Sequence, residues 1–153
     1  LDYKINDSHI KTGLNNVSNN TGLQGRWHVI QRKPMIICDT AHNEAALLEV
    51  ISQLTKMDYS KLHFIIGFSN DKNLKKISKI FPEDSKYYFV QSKVGRARDA
   101  KEVRDIFKLS NRCGDYYRSV KNTIQYVKGV SKENDIIFIG GSTFVVSEIF
   151  DIN

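Results

Sequence analysis

The chain has 153 residues, of which 41% are hydrophobic and 26% are charged. Its two cysteines are too few for a disulfide framework or a Cys-rich zinc site. No apolar run approaches the ~18 residues that span a bilayer and no signal peptide opens the chain, so we expect a cytoplasmic protein without a membrane partner. The net charge of +6 suits anionic ligands such as nucleotides or polycarboxylates, and because the basic residues are scattered, we do not expect nucleic acid as a partner.

The first 24 residues are polar and rich in asparagine. Four apolar residues have loose helical spacing: Ile5, Ile10, Leu14 and Val17. The stretch Asn-Asn-Thr-Gly at 19–22 is typical of a loop. We therefore expect residues 1–24 to lie outside the packed sheet and residues 25–153 to form the folded domain. Because the chain begins with Leu1 rather than Met, we also expect it to be part of something longer.

Beyond residue 25, short apolar runs alternate with helical patterns. The predicted strands are 27–31, 35–38, 63–67, 87–90, 115–117 and 135–139. The predicted helices carry apolar stripes at Leu47–Met57, Leu74–Phe81, Val103–Phe107, Val120–Val127 and Thr143–Phe150. Asp99 with Glu102 resembles a capping box, and Ser119 is placed to cap the next helix. The pattern predicts an α/β fold: a Rossmann-like, mostly parallel sheet with helices on both faces.

In such sheets, ligands bind at the carboxyl ends of the strands. The first loop at these ends is Cys-Asp-Thr-Ala-His-Asn, where the Asp39 carboxylate suits the hydroxyl groups of a ribose. His42 and Asn43 would lie at a helix N-terminus, where backbone amides favour an anion. The alternative is that Asn43 is an ordinary N-cap and Asp39 simply ends a strand.

Three further loops carry groups that suit an anion. Lys72 offers a point charge to a carboxylate or phosphate, and Arg96 can hold a carboxylate through two hydrogen bonds. In Gly140–Ser142, two glycines permit close approach to the backbone and Ser142 adds a hydroxyl. The alternatives are a solvated lysine, a surface loop and a serine that only caps a helix.

The sequence contains no complete catalytic set. It has no G-x-x-x-x-G-K-[ST] phosphate loop, no G-x-G-x-x-G after a strand and no G-x-S-x-G elbow. The four histidines lack metal-ligand spacing, so no metal site is predicted. The residues alone describe an α/β domain with an anion-binding edge.

Several motifs occur in an order that resembles a known family. They are Thr-Gly-Leu-Gln-Gly-Arg-Trp, P-x-x-I-C-D-T-A-H-N, G-x-x-x-D-K, Arg-Ala and Gly-Gly-Ser-Thr-Phe-Val-Val-Ser-Glu, and they cover about 22–150. This arrangement is similar to the C-terminal domain of folylpolyglutamate synthase/dihydrofolate synthase, in the Mur ligase superfamily. The resemblance implies a ligase in which ATP phosphorylates a carboxylate of folate or dihydropteroate, and the amine of L-glutamate then attacks the acyl phosphate.

The resemblance also implies a division of labour between two domains. The phosphate loop and the magnesium ligands of the family lie in an N-terminal ATPase domain, so residues 1–24 would be the tail of that domain and the interdomain linker. The chain by itself would then be an inactive, monomeric part of the enzyme, with no catalytic residue of its own. Carried over by motif, Arg26 and Asp39 bind ATP, while the glutamate site comprises His42, Lys72 and Ser142, with Arg96 as an addition. In this assignment Lys72, the helix end at Ser142 and the ring of His42 all donate to carboxylates.

Two other classes stay open at this point. One is a stand-alone anion- or nucleotide-binding α/β module that acts through a partner. The other is a basic α/β domain that binds nucleic acid. The sequence does not decide between folate and dihydropteroate as the acceptor.

Overall fold

The computed structural model describes residues 4–150 of the chain. Six strands form one sheet: β1 (His28–Arg32), β2 (Met35–Asp39), β3 (Leu62–Ile66), β4 (Lys86–Val90), β5 (Gly114–Tyr117) and β6 (Ile136–Gly140). The α-helices are α1 (Asp7–Asn15), α2 (Val17–Thr21), α3 (Glu44–Thr55), α4 (Leu74–Ile77), α5 (Ala100–Lys108), α6 (Val120–Val130) and α7 (Thr143–Phe150). A 3₁₀ turn, Ser78–Ile80, continues α4.

The sheet has the order β1-β2-β6-β3-β4-β5. Only β1 runs antiparallel to its neighbour, and the other pairs are parallel. The predicted α/β fold with a mostly parallel sheet is confirmed. Strand β6 and strand β3, which is apolar except for His63, are buried along their whole length, as strands covered on both faces should be.

Helices cover both faces of the sheet, and each face has its own core. On one face, α3, α4 and α5 pack on alternate strand residues, with aromatic contacts among side chains such as Phe64, Phe81 and Phe107. On the other face, α6 and α7 pack on the intervening residues, such as Ile65 and Ile139. The two-residue period of each strand therefore divides its apolar side chains between the two cores.

Polar residues begin three of the helices as predicted. The side chains of Asn43, Asp99 and Ser119 each accept a hydrogen bond from a backbone N–H in the first turn of the helix that follows. The capping box at Asp99 is only half formed, because the carboxylate of Glu102 pairs with Arg98 at 3.4 Å. Asn43 is thus the helix cap that the alternative interpretation required.

Some predicted boundaries were wrong. The loop predicted at 19–22 lies mostly within α2, which ends at Gly22 in the left-handed conformation. The helical stripe predicted to reach Phe81 stops at Ile80, because Phe81 precedes Pro82 and takes an extended backbone. Trp27 lies outside β1 with a positive φ of 41°. As expected, none of the residues described in α1 and α2 is buried.

No helix among residues 4–150 is both long and apolar enough to cross a membrane.

A buried polar chain lies at the amino end of the sheet, away from the predicted ligand edge. The ring of His63 contacts Asp135 Oδ2 through Nε2 at 3.2 Å and the hydroxyl of Tyr88 through Nδ1 at 3.3 Å. Burial is the largest effect and lowers the pKa of His63, Asp135 opposes it, and the ammonium groups of Lys86 and Lys61 lower it further. The folded protein therefore resists protonation of this histidine.

We expect the free energy of unfolding to fall as the pH drops below about 6.5, because the unfolded chain then binds a proton that folded His63 resists. The contribution of one proton cannot exceed about 1.4 kcal/mol per pH unit. Chemical denaturation at about pH 7.5 and about pH 5.5 measures the effect. His63→Gln should flatten this dependence, whereas His9→Gln, on exposed α1, should leave it unchanged. An equal pH dependence in wild type and His63→Gln would contradict the assignment.

Candidate functional site

The strand register brings the predicted site loops to one edge. Asp39 at the end of β2 and Ile66 at the end of β3 both lie opposite Gly140 of β6, so these three strands finish level with one another. Because β1 is antiparallel, its first residue, His28, lies opposite Cys38 at the same edge. The loop that carries Arg26 therefore lies beside the loop that follows Asp39.

The carboxylate of Asp39 connects these two loops. It is 7% exposed, and its oxygens accept hydrogen bonds from the backbone N–H groups of Trp27 and Ala41, both at 2.7 Å. The backbone N–H of Thr40 also donates to the carbonyl of Gly25 at 2.9 Å. Asp39 therefore does more than end a strand, because it fixes the backbone on both sides of exposed Arg26.

The turn around Arg26 has an unusual backbone. Gly25 has φ 74°, and Trp27 has φ 41°, a conformation that residues other than glycine seldom adopt. A Cβ at Gly25 would come within 2.9 Å of Val146 and 3.2 Å of Thr40. The bond from Trp27 to Asp39 offsets the cost of this turn, which presents the guanidinium of Arg26 on the surface next to a buried carboxylate.

A cavity of about 390 Å³ opens at the same edge. His42, Lys72, Arg96 and Ser142 all line it. These residues follow four different strands, β2, β3, β4 and β6, so the parallel topology brings them together. His42, Lys72 and Ser142 thus share one cavity, as the sequence predicted, and Arg96 lines it with them. The volume of the cavity is in the range of small-molecule sites, and the glutamate-binding role of these residues stays a prediction.

Lys72 has a carboxylate partner within the cavity. Its ammonium donates to Asp71 Oδ2 at 2.7 Å, and this hydrogen bond is the main cause that lowers the pKa of Asp71. The Lys72 side chain is 24% exposed, whereas that of Asp71 is 67% exposed. A ligand carboxylate would therefore share or replace Asp71 as the partner of Lys72.

Backbone bonds between two loops hold Lys72 and Arg96 near each other. The N–H of Asn70 donates to the carbonyl of Arg96 at 3.0 Å, and the N–H of Arg98 donates to the carbonyl of Phe68 at 2.8 Å. The guanidinium of Arg98 donates to the carbonyl of Asn70. Arg98 is thus a brace between the loops, which leaves Arg96 to face the cavity.

Arg96 rests on an aromatic ring. Its guanidinium carbon lies 4.6 Å from the ring centroid of Phe144, in cation–π contact. Phe144 and the neighbouring Thr143 both line the cavity. The ring holds the guanidinium in place without neutralising its charge, so Arg96 can bind a carboxylate.

Ser142 is 4% exposed and lies at the start of α7. Its Oγ accepts a hydrogen bond from the N–H of Phe144 at 3.1 Å, so its own hydroxyl hydrogen is available to an acceptor in the cavity. Gly141 makes this turn possible with φ 83°, and a Cβ there would lie 2.8 Å from the carbonyl oxygen of Gly67. Ser142 therefore caps a helix and also lines the cavity.

The ring of His42 has a defined tautomer. Its Nδ1 lies 2.9 Å from the carbonyl oxygen of Thr40, and because a carbonyl only accepts, Nδ1 carries the hydrogen. In the neutral ring, Nε2 is then an acceptor. In that form the only N–H of the ring is already used, and the predicted contact of His42 with a carboxylate stays a prediction.

The structure divides the six predicted residues into two groups. Arg26 and Asp39 lie together over β1 and β2 and do not line the cavity, whereas the other four line it. Sequence reasoning missed Asp71 and Phe144. Asp71 directly precedes Lys72, and Phe144 lies two residues after Ser142. The contacts of Asp71 with Lys72 and of Phe144 with Arg96 could not be seen in the sequence. Within residues 4–150, no three His, Cys, Asp or Glu side chains are placed to hold a metal ion.

Known proteins resemble this chain in sequence and in fold. The chain is 25% identical over 151 residues to the dihydrofolate synthase/folylpolyglutamate synthase of Buchnera aphidicola subsp. Schizaphis graminum, covering 97% of this chain and 35% of that protein. The bifunctional folylpolyglutamate synthase/dihydrofolate synthase of Yersinia pestis CO92 has the same fold, with a TM-score of 0.81, 20% identity and coverage of 98% of this chain and 35% of that one. A solved bifunctional folylpolyglutamate synthase/dihydrofolate synthase with Mn, AMPPNP and L-glutamate bound superposes with a TM-score of 0.83, 20% identity and the same coverage.

The chain thus spans about 35% of the length of these relatives. The family described as Mur ligase, glutamate ligase domain matches residues 25–143, which include all six predicted site residues. The chain belongs to the glutamate ligase domain family of the Mur ligases.

Proposed function

We propose that the chain is the C-terminal, glutamate- and nucleotide-contacting domain of an ATP-dependent ligase that adds glutamate to folate or dihydropteroate. The observation that carries the proposal is the cavity formed by His42, Lys72, Arg96 and Ser142 beside the Arg26–Asp39 pair. Family membership and the relatives described above support it. The complete ligase is this chain together with an N-terminal ATPase domain, with residues 1–24 as the tail of that domain and the linker.

The cavity suits the two carboxylates of glutamate. Lys72 supplies an ammonium and Arg96 a planar guanidinium, so each carboxylate can have a cation of its own. The free hydroxyl hydrogen of Ser142 adds a neutral donor. The carboxylate of Asp71 repels other anions in the cavity. A ligand must therefore either displace Asp71 from Lys72 or carry a positive charge of its own.

The amine of glutamate suits the remaining side of the cavity. An ammonium group must lose a proton before its nitrogen can attack an acyl phosphate. Nε2 of neutral His42 is an acceptor, so it can bind this group and take the proton. In this arrangement His42 faces the amine, while Lys72 and Arg96 face the carboxylates.

The Arg26–Asp39 pair suits the nucleotide. Arg26 is exposed and offers a guanidinium to a phosphate, on a turn that Asp39 holds in shape. Each Asp39 oxygen already accepts one backbone hydrogen bond and can accept another from a ribose hydroxyl. Magnesium would be held mainly by the ATPase domain, since the sequence of this chain has no phosphate loop.

The complete ligase tests the proposal directly. With ATP, L-glutamate and either folate or dihydropteroate, it should release ADP and phosphate in step with a new glutamyl amide. Lys72→Ala should raise the KM for glutamate by about tenfold or more, with a smaller effect on ATP, because a charge-assisted contact is lost. A complete ligase that forms no glutamyl amide with either acceptor would overturn the proposal.

The chain alone should neither hydrolyse ATP nor ligate glutamate. It lacks the phosphate loop that P-loop enzymes use to hold the nucleotide, and Arg26 and Asp39 supply only part of a site. A coupled assay for ADP release by the purified chain is the measurement. Turnover that disappears in Asp39→Ala would contradict this prediction and favour a stand-alone enzyme.

A further inference from the structure

Another cavity, of about 260 Å³, lies at the edge of the sheet that β5 forms. Three tyrosine rings line it: Tyr88 of β4, Tyr117 of β5 and Tyr126 of α6. Among residues 4–150, it shares no lining residue with the cavity that contains Lys72 and Arg96. The function proposed above gives these tyrosines no role.

The three rings lie at similar distances from one another. The ring centroids of Tyr88 and Tyr117 are 6.0 Å apart, those of Tyr117 and Tyr126 are 6.0 Å apart, and those of Tyr88 and Tyr126 are 6.3 Å apart. The ring planes are inclined to one another by 34° to 72°, so the rings do not form one flat stack. A cation above the middle of this triangle would lie within about 6 Å of all three centroids, the range in which an aromatic ring attracts a cation.

The strand register places a carboxylate beside these rings. Tyr88 of β4 lies opposite Asp115 of β5, and Tyr117 follows two residues after Asp115, on the same face of the sheet. Asp115 lines the cavity, and within residues 4–150 its carboxylate forms no salt bridge. Burial is the main cause that raises the pKa of Tyr88 to about 12, and the negative charge of Asp115 is a smaller one. Tyr88 therefore stays uncharged at neutral pH, next to a carboxylate.

One ammonium group also lines the cavity. It belongs to Lys86, at the start of β4, which is exposed and forms no salt bridge in the described part of the chain. The ring of His63 packs on Tyr88 with centroids 5.9 Å apart, but burial lowers the pKa of His63, so this neighbour is not a cation at neutral pH. The cavity thus offers aromatic faces and a carboxylate to a cation, and one ammonium to an anionic group.

We propose that this cavity binds a small molecule that carries a trimethylammonium group. Such a cation has no N–H to donate and is weakly hydrated, so aromatic faces can replace the water around it. The ammonium of Lys86 is compact and strongly hydrated, and it therefore competes poorly for the same place. The carboxylate of Asp115 supplies the balancing charge. The inference goes beyond the proposed function, because it concerns a separate cavity and a different class of ligand.

Choline and its uncharged isostere, 3,3-dimethyl-1-butanol, test the inference in the complete ligase. The two molecules have the same shape, so the rings and the carboxylate should bind choline about tenfold more tightly. Saturation-transfer NMR on the ligand methyl protons, followed through a titration, measures both dissociation constants. Tyr126→Ala should weaken choline binding by about fivefold or more, whereas Tyr126→Phe keeps the ring and should bind as wild type does. Tyr126 is 53% exposed, so neither change should disturb the fold.

Charge variants separate two sources of the trimethylammonium group. Asp115→Asn should weaken the binding of choline and of glycine betaine alike, because both carry the cation. Lys86→Ala should tighten choline binding, since it removes a positive charge. The same variant should weaken betaine binding if a betaine is the ligand, because its carboxylate then loses Lys86, and should tighten it if the ligand is of the choline type. Tyr116→Ala is the matched control, since Tyr116 points to the other face of β5 and does not line the cavity.

Three results would each overturn the inference. They are the absence of saturation transfer to choline and betaine in the wild-type ligase, equal affinities for choline and 3,3-dimethyl-1-butanol, and a choline affinity that Tyr126→Ala leaves unchanged. None of them bears on the ligase assignment, because the residues of the proposed glutamate and nucleotide sites stay unaltered. Thermal denaturation of each variant reports that it is folded.

Discussion

Asp39→Ala should lower both the stability of the domain and the ATP affinity of the complete ligase. The substitution removes the acceptor of two backbone N–H groups, those of Trp27 and Ala41, at a site that is almost wholly buried. Each unsatisfied buried donor costs about 1–3 kcal/mol, so the loss of the acceptor for both should lower the free energy of unfolding by about 2–6 kcal/mol. The strained turn at Trp27 would lose its main restraint, and Arg26 would no longer be held in place.

Arg26→Ala separates binding from folding in this pair. Arg26 is exposed, so its removal should change the free energy of unfolding by no more than about 0.5 kcal/mol. If its guanidinium contacts a phosphate of ATP, the loss of about 1.5–3 kcal/mol should raise the KM for ATP about ten- to a hundredfold. The KM for glutamate should change far less, because Arg26 does not line the cavity that we propose binds glutamate.

Asp39→Asn provides the matched control. The amide keeps the shape and one acceptor oxygen but places a nitrogen donor against a backbone N–H, so its stability should lie between those of wild type and Asp39→Ala. Thermal or chemical denaturation measures the stability, and initial rates at varied ATP measure the affinity. If the KM for ATP is unchanged in both Arg26→Ala and Asp39→Ala, the proposal that these two residues contact the nucleotide is wrong.

The arrangement of the site could be predicted from the sequence because two simple patterns fix it. Short apolar runs followed by helical stripes indicate parallel strands, and parallel strands end at one edge. Polar residues in the loops after such runs, such as Lys72 after β3 and Ser142 after β6, are then expected at that edge. The role of Arg26 came from the family resemblance, whereas the end of a strand already suggested a ribose contact for Asp39.

What the sequence did not reveal depends on contacts between distant segments. The bond from Trp27 to Asp39 requires β1 to run antiparallel along β2, and no local pattern specifies the partner of a carboxylate. Arg96 and Arg98 are equivalent in the sequence, and only the bonding between the two loops decides which one faces the cavity. The loop predicted at 19–22 was wrong because asparagine and threonine favour turns locally, yet α2 continues through them.

The tautomer of His42 was likewise beyond sequence reasoning, because the carbonyl of Thr40 sets it. In the proposed function the ring of His42 accepts from the amine of glutamate, whereas the sequence interpretation had it donate to a carboxylate. His42 also shares its cavity with the charged side chains of Lys72, Arg96 and Asp71. The consequence can be measured in the complete ligase.

His42→Gln should lower kcat/KM for glutamate at neutral pH by about a hundredfold or more, as expected for the loss of a proton acceptor. Glutamine can still form a hydrogen bond, but it cannot take a proton from the ammonium of glutamate. The rise of kcat/KM with pH should therefore move to higher pH in the variant, since the amine must then lose its proton to water. Lys72→Ala is the matched control: it should raise the KM for glutamate without moving the pH profile, because it acts on a carboxylate.

Hydroxylamine, which is uncharged at neutral pH, provides the decisive comparison for His42. It attacks an acyl phosphate without first losing a proton to a base, so hydroxamate formation should survive His42→Gln while glutamate ligation falls. The C–N bond forms at the acyl carbon in both cases, phosphate leaves with the C–O electron pair, and only the first deprotonation of the nucleophile differs. If His42 instead binds a carboxylate, His42→Gln should leave the pH profile in place and change only the KM for glutamate. If His42 instead stabilises the acyl phosphate, His42→Gln should lower both glutamate ligation and hydroxamate formation. Either result would remove His42 from the role of proton acceptor, whatever the size of the loss in rate.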